Sequence, residues 1–190
     1  MIEVWLEIKV NRAKLYHMMP ISAKKSFLGT LRKGLNWLDI TSEIKEWINY
    51  VEKYRSMGHD FSDDQVIDTL VGNRPTEEVV FVLHWLRYFG DMKVRADLLQ
   101  QKLTLKASST TNTMQLMIRL WLETRVSPAE VYHMMPVSSE RSSLDAINDE
   151  TRWEVVRDKI ASWLSYAYQY QEKGYGFSDD QVIEVLLSNR

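Results

Sequence analysis

The amino-acid sequence predicts an all-α protein made of tandem helical-bundle repeats stacked end to end, with about five helices per complete unit. Three observations support this fold class. Residues 1–74 align without a gap to residues 117–190, an offset of 116 residues, and 31 of the 74 aligned positions are identical. Large apolar residues recur at helical spacing, and no segment alternates as a half-buried strand would. One helical unit used twice explains these features.

A short helix is predicted early in each copy. In the second copy, Ser127 stands at the cap, Pro128 follows at the first helical position, and a glutamate lies three residues after the cap. Pro136 is expected to stop that helix about two turns later. The first copy has Asn11 as the cap and keeps Pro20 as the stop.

A long amphipathic helix is predicted in the middle of each copy, because large residues fall at i, i+3, i+4 and i+7. These residues are Trp47, Tyr50, Val51 and Tyr54 in the first copy, and Trp163, Tyr166, Ala167 and Tyr170 in the second. Gly58 and Gly174 follow closely. A glycine free to adopt positive φ is expected to end each helix.

The next helix of each copy starts at a Ser-Asp-Asp-Gln capping box, at residues 62–65 and 178–181. In the first copy the apolar run 79–89 then follows Pro75 and Thr76. This run is apolar nearly all round, so we expect it deep in the bundle, with Gly90 closing it. Apolar residues between 94 and 103 predict a further amphipathic helix.

The polar run 106–113 is the clearest linker in the chain. We therefore predict a first unit over residues 1–105, a linker over 106–113, and a second unit over 114–190. Residues 75–116 have no second copy, so the second unit is expected to lack its final helices.

Composition excludes several functional classes. The net charge of -2 and the pI near 6.1 leave no basic excess for a nucleic-acid backbone or an anionic membrane surface. No apolar run approaches the roughly 20 residues that span a bilayer. The absence of cysteine excludes disulfides, thiolate ligands and a cysteine nucleophile. We predict neither a nucleic-acid nor a membrane partner.

The duplicated Tyr-His-Met-Met-Pro motif, at residues 16–20 and 132–136, could suggest a copper or haem site. A metal site needs further ligands at coordinating spacing, and only His59 and His84 remain elsewhere, in unrelated contexts. Methionine as adaptable core filler at a helix end is the better interpretation. We therefore predict no metal and no cofactor.

The paired acids Asp63 and Asp64, with their copies Asp179 and Asp180, could be catalytic carboxylates. Their place in the first turn of a helix already explains them, because acids there interact favourably with the helix dipole. The sequence has no Gly-x-Ser-x-Gly, no phosphate-binding glycine loop and no two-histidine zinc motif. We therefore predict that the protein is not an enzyme.

The Trp-x-x-Tyr-x-x-x-Tyr pattern resembles the W motif of the WY and LWY effectors, which oomycete plant pathogens such as Phytophthora secrete. The segment 120–131 resembles the L motif that begins an LWY unit. The segment 81–103, which includes Tyr88, resembles the Y motif. The order L, W, Y, L, W covers nearly the whole chain, and the second unit lacks a Y motif.

This resemblance implies an RXLR-type effector that is secreted, translocated into the plant cell and active in suppressing immunity. The signal peptide and RXLR region of such effectors are absent from this sequence. In some members, tandem LWY pairs bind the scaffold subunit of host protein phosphatase 2A in place of a regulatory subunit. Partner-contacting residues cannot be assigned by the resemblance, since the shared motifs are core motifs. These expected core residues are Trp5, Trp47, Tyr50, Tyr54, Tyr88, Trp121, Trp163, Tyr166 and Tyr170.

Two other functions stay open at this point. The chain could be a purely structural spacer that orients functional units elsewhere in a longer effector. It could also be an enzyme or small-molecule binder, which would require a cavity with convergent polar groups. The leading hypothesis is a protein-interaction module.

Overall fold

In the computed structural model, the described residues are 37–107, 111–135 and 150–188, and every regular element within them is a helix. The predicted all-α class is confirmed. The chain divides into two compact units, Met1–Leu99 and Gln100–Arg190, called unit 1 and unit 2 below.

The described part of unit 1 is built around one long helix. The helices that begin within residues 37–99 are α1 (Trp37–Ser56), α2 (Asp63–Asn73), α3 (Thr76–Leu86) and α4 (Lys93–Ala107). Both α1 and α2 pack against α3. The buried face of α1 contains Trp47, whose ring meets Phe61 edge to face at 6.4 Å between centroids.

The connection from α1 to α2 forms as the sequence predicts. Gly58 has φ +81°, a conformation that costs glycine little, and its N–H donates to the carbonyl of Arg55. The capping box then starts α2: the Gln65 N–H donates to Ser62 Oγ at 3.2 Å, and the Ser62 N–H donates to Gln65 Oε1 at 2.8 Å.

Unit 2 repeats this connection from a long helix through a glycine to a capping box. Besides the end of α4, its described residues form the helices α5 (Thr111–Glu123), α6 (Pro128–Met134), α7 (Glu150–Glu172) and α8 (Asp179–Ser188). The long helix α7 packs against α5 and α6, and α8 packs against α6. Gly174 has φ +74° after α7, and Ser178 and Gln181 form the same reciprocal capping bonds as their counterparts in unit 1.

Three side chains of α7 hydrogen-bond to backbone carbonyls in the turn between α5 and α6 and at the start of α6. The Trp163 indole N–H donates to the carbonyl of Pro128 at 2.7 Å, and the Tyr166 hydroxyl donates to that of Val126 at 2.6 Å. The Tyr170 hydroxyl lies 3.4 Å from the carbonyl of Arg125, which has φ +55°. The large aromatic side chains of α7 therefore bond to backbone carbonyls at the α5–α6 connection while they fill the core.

Most of the aromatic residues expected in the core are buried. These are Trp47, Tyr50, Tyr54, Trp121, Trp163, Tyr166 and Tyr170. Trp5 lies outside the described residues. The prediction for Tyr88 is wrong, because 55% of its surface is exposed. The physical reason is that α3 ends at Leu86, before Gly90, and Tyr88 lies in the turn that follows.

Helices extend into both ends of the segment 106–113. Much of the predicted linker is helical, because α4 continues to Ala107 and α5 begins at Thr111.

The helix α6 ends at Met134, and Met135 is extended, as expected for a residue that precedes proline. Asn11, Pro20 and the first Tyr-His-Met-Met-Pro copy lie outside the described residues. The unit boundaries 1–105 and 114–190, and the end-to-end stacking, stay predictions.

Replacing the central tryptophan of α7 tests how much the core depends on it. We expect Trp163→Ala to lower the free energy of unfolding by ~3–5 kcal/mol, because a fully buried indole and its hydrogen bond are lost. Leu164→Ala is the matched control at the neighbouring, exposed position, with an expected change of ~0.5 kcal/mol or less. Chemical denaturation measures the free energy of unfolding of both variants. Equal losses of stability would contradict the assignment of Trp163 to the core.

Candidate functional site

The duplicated motif residues serve packing in the copy that the structure describes. Met134 and Met135 are buried, whereas His133 is exposed. Within residues 37–107, 111–135 and 150–188, no group of three His, Cys, Asp or Glu residues could hold a metal ion. None of the helices in these ranges is long and apolar enough to cross a membrane.

An ion-pair cluster joins α1, α2 and α4 in unit 1. Asp63, at the first turn of α2, accepts from Arg55 of α1 at 2.7 Å and from Arg95 of α4 at 2.9 Å. Arg55 also lies 2.9 Å from Glu52, to which Arg95 is paired as well. Burial raises the pKa of Asp63, but the hydrogen bonds from the two guanidinium groups outweigh burial and hold it below its ordinary value. The cluster therefore fixes three helices to one another.

In unit 2, the connection from α7 to α8 keeps the geometry of the α1–α2 connection, but a different side chain forms the bonds. Gln171 occupies the position of Arg55, and its amide donates to the carbonyl of Phe177 at 2.6 Å and to Asp179 at 3.1 Å. Arg55 makes the equivalent bonds to Phe61 and Asp63. The backbone connection is thus held in both units, while the surface charge differs.

A group of aromatic side chains reaches the surface where α3 ends. This aromatic corner consists of Trp85, Tyr88 and Phe89. The rings of Trp85 and Tyr88 contact each other at 5.4 Å between centroids, and Tyr88 is the most exposed of the three. The Lys45 ammonium group lies 5.2 Å from the centroid of the Phe89 ring.

Charged residues hold the turn that presents these rings. Lys45 of α1 donates to Asp91 at 2.8 Å, and this hydrogen bond lowers the pKa of the Asp91 carboxyl. The guanidinium of Arg87 donates to Asp97 of α4. The turn is therefore attached to α1 on one side and to α4 on the other.

His84 lies directly beneath the aromatic corner. It is buried, its ring contacts those of Trp85 and Tyr88, and neither ring nitrogen has a hydrogen-bond partner in the described part of the chain. Burial, together with the charge of Arg87, lowers its pKa to about 4. His84 is therefore neutral at physiological pH and acts as a core aromatic residue.

The aromatic corner is the candidate interaction surface. Exposed aromatic residues on a rigid base are typical of protein-binding hot spots, since they supply much contact area at little entropic cost. Sequence reasoning missed this site, because Tyr88 continues an apolar run and no residue marks the end of α3 at Leu86. The turn signal at Gly90 comes four residues later.

Comparisons with known proteins give one family. A model described as the RXLR phytopathogen effector protein WY-domain matches residues 53–101. RxLR effector protein 54 of Phytophthora infestans (strain T30-4) is 31% identical over 155 residues, 78% of this chain and 37% of that protein. RxLR effector protein PexRD18 of the same strain is 27% identical over 149 residues, 76% of this chain and 28% of that protein.

A solved structure has the same fold. The crystal structure of RXLR effector PexRD54 from Phytophthora infestans matches with a TM-score of 0.67 and 23% identity, over 96% of this chain and 60% of that chain. The chain spans less than two fifths of the length of the two curated relatives.

The pH dependence of stability tests the buried state of His84. Because its pKa is about 4 in the folded state and near 6.5 when unfolded, the unfolded chain binds the proton between these pH values. The free energy of unfolding should therefore fall as pH is lowered through this window, by about 2–3 kcal/mol between pH 7 and pH 4.5.

The control separates His84 from the other titrating groups. His84→Leu should lose this part of the pH dependence, whereas His133→Leu, at an exposed histidine, should keep the wild-type slope. Urea titrations at both pH values give the measurement. A wild-type slope in His84→Leu would show that the ring binds a proton as readily in the folded protein as in the unfolded chain.

Proposed function

Because this chain belongs to the oomycete RXLR-type effectors with a WY fold, we propose that it is a protein-interaction module that suppresses immunity inside the plant cell. Secretion by the pathogen and translocation into the host follow from membership of this family and belong to the same proposal. The observation that carries the interaction role is the aromatic corner, which lies on the surface of a well-packed helical unit.

The proposed action is binding rather than catalysis. The aromatic side chains at helical spacing fill the core or bond to backbone carbonyls, as those of α7 do. Tyr88 differs, since its exposure is not needed to build the unit. A partner that covered Tyr88 and Trp85 would gain apolar burial without any rearrangement of the helices, which are already fixed by ion pairs.

The proposed partner is the scaffold subunit of host protein phosphatase 2A. Support comes from the resemblance to tandem LWY pairs and from the duplication of residues 1–74 at 117–190. Binding would occur in place of a regulatory subunit and would redirect the phosphatase to other substrates. The effector would then need only a surface that binds the scaffold subunit in competition with the regulatory subunit.

A spacer role is the second candidate, favoured by the repetition of core positions between the two copies. A spacer acts through its length and rigidity, so its surface residues carry no binding energy. Single substitutions in the aromatic corner therefore distinguish the two proposals.

The interaction is tested by affinity capture from plant extract with the 190-residue chain as bait. We expect enrichment of the phosphatase scaffold subunit, and we expect Tyr88→Ala to weaken its binding about thirtyfold, or roughly 2 kcal/mol, as at a hot spot. Titration of the purified subunit, with and without a regulatory subunit as competitor, measures the affinity.

Tyr168→Ala is the matched control, because it removes an exposed tyrosine from unit 2. Its binding should equal that of the wild type. No enrichment of the scaffold subunit would exclude that partner. Equal binding by Tyr88→Ala and wild type would exclude the aromatic corner as the contact surface.

A further inference from the structure

A groove lies between α5 and α7 on the surface of unit 2. Its volume is about 440 Å³. Side chains three or four positions apart share one face of a helix, so each helix supplies one wall of the groove. We call this site the α5–α7 groove, and its lining residues are Gln115, Ile118, Arg119, Leu122, Glu123, Gln169 and Lys173.

The α5 wall supplies a short apolar strip. Leu122 is 5% exposed, and Ile118, one helical turn earlier, is half-buried. Two aliphatic side chains that are already partly covered can bury little further area, so apolar contact alone gives weak binding. Recognition at this groove therefore depends on its charged residues as well.

Two cations flank the apolar strip. Arg119 of α5 and Lys173, directly after α7, are both exposed, and neither side chain forms an ion pair or hydrogen bond within the part of the chain that the structure describes. Among the seven lining residues, Glu123 is the only acid. It would repel a continuous polyanion such as nucleic acid, whereas a peptide can place carboxylates beside the two cations alone.

The first copy does not repeat these charges. In the aligned sequences, Glu3 stands at the position of Arg119, and Met57 stands at the position of Lys173. An acid and an apolar residue thus replace the two cations. The positive charge of the groove is a property of unit 2 only.

The structure of unit 1 shows which side of a long helix the following helices cover. Lys53 and Met57 of unit 1 align with Gln169 and Lys173. Both are exposed, although α2, α3 and α4 all follow in the same unit, and Met57 is 52% exposed. The corresponding side of the long helix therefore stays open where a full set of helices follows it.

We propose that the α5–α7 groove binds an acidic amphipathic helix of a partner protein. The apolar side of that helix contacts Ile118 and Leu122, and its carboxylates pair with Arg119 and Lys173. Charge complementarity to two unpaired cations is the argument for an acidic ligand. The groove lies in unit 2 and the aromatic corner in unit 1, so this proposal and the proposed function can fail separately.

The test uses a fluorescent, hydrocarbon-stapled helical peptide of leucine, alanine and glutamate, in which two leucines one turn apart are flanked by glutamates. Titration with the 190-residue protein is followed by anisotropy. We expect a Kd on the order of 100 μM at low salt, which rises with ionic strength because the ion pairs are exposed. The matched peptide has lysine in place of every glutamate and should not bind.

Charge changes in the protein locate the site. Arg119→Glu, which gives this position the residue of the first copy, should weaken binding of the glutamate peptide about tenfold, and Lys173→Met should weaken it about threefold. Arg157→Glu is the matched control. It makes the same change in net charge at an exposed arginine of α7 that does not line the groove, and it should bind like the wild type.

Several results would overturn the proposed site. They are the absence of binding by the glutamate peptide, equal binding of the two peptides, insensitivity to Arg119→Glu, and an equal loss in Arg157→Glu. Sedimentation of the protein as a dimer that Arg119→Glu converts to a monomer would also overturn it and would assign the groove to a second copy. Circular dichroism of each variant checks that its helices are intact.

Discussion

The structure of unit 2 depends on the attachment of one long helix to one tight turn. Trp163, Tyr166 and Tyr170 of α7 reach backbone carbonyls at the α5–α6 connection. The carbonyls of Arg125 and Val126 belong to a turn with a residue at positive φ, where no continuing helix supplies N–H donors, whereas the carbonyl of Pro128 lies in the first turn of α6. These aromatic side chains both fill the core and donate hydrogen bonds to the backbone. Smaller apolar residues could not replace them, because they would leave the core underfilled and the carbonyls without these donors.

The two units show how a shared framework can carry different surfaces. Gln171 repeats the bridging role of Arg55 without its charge, and Tyr168 stands where unit 1 has Glu52. Such exchanges leave the helix connection in place because the bond to the backbone carbonyl is kept. They change what a partner would meet. The side chains that differ between the units are therefore ones that the framework does not constrain.

Much of the fold could be predicted because its signals are local. The Ser62 capping box, the glycine at 58 and the i, i+3, i+7 aromatic pattern act within a few residues of their own position. The end of α3 at Leu86 and the exposure of Tyr88 could not be predicted from local signals. Both depend on the attachment of the following turn to α1 and α4. The exposure of Ile183 in α8 could not be predicted for a similar reason. Residues 177–183 are identical to residues 61–67, yet Ile67 is buried and Ile183 is exposed.

The aromatic attachment of α7 also limits how such a chain can change in length. Each residue inserted between Trp163 and Tyr170 would rotate one end of the helix by about 100° relative to the other and would point one ring away from its carbonyl. Substitutions leave that register intact, whereas insertions and deletions do not. The two copies align over 74 residues without a gap, although many side chains differ between them. This agrees with a constraint on the length of the helix rather than on most of its side chains.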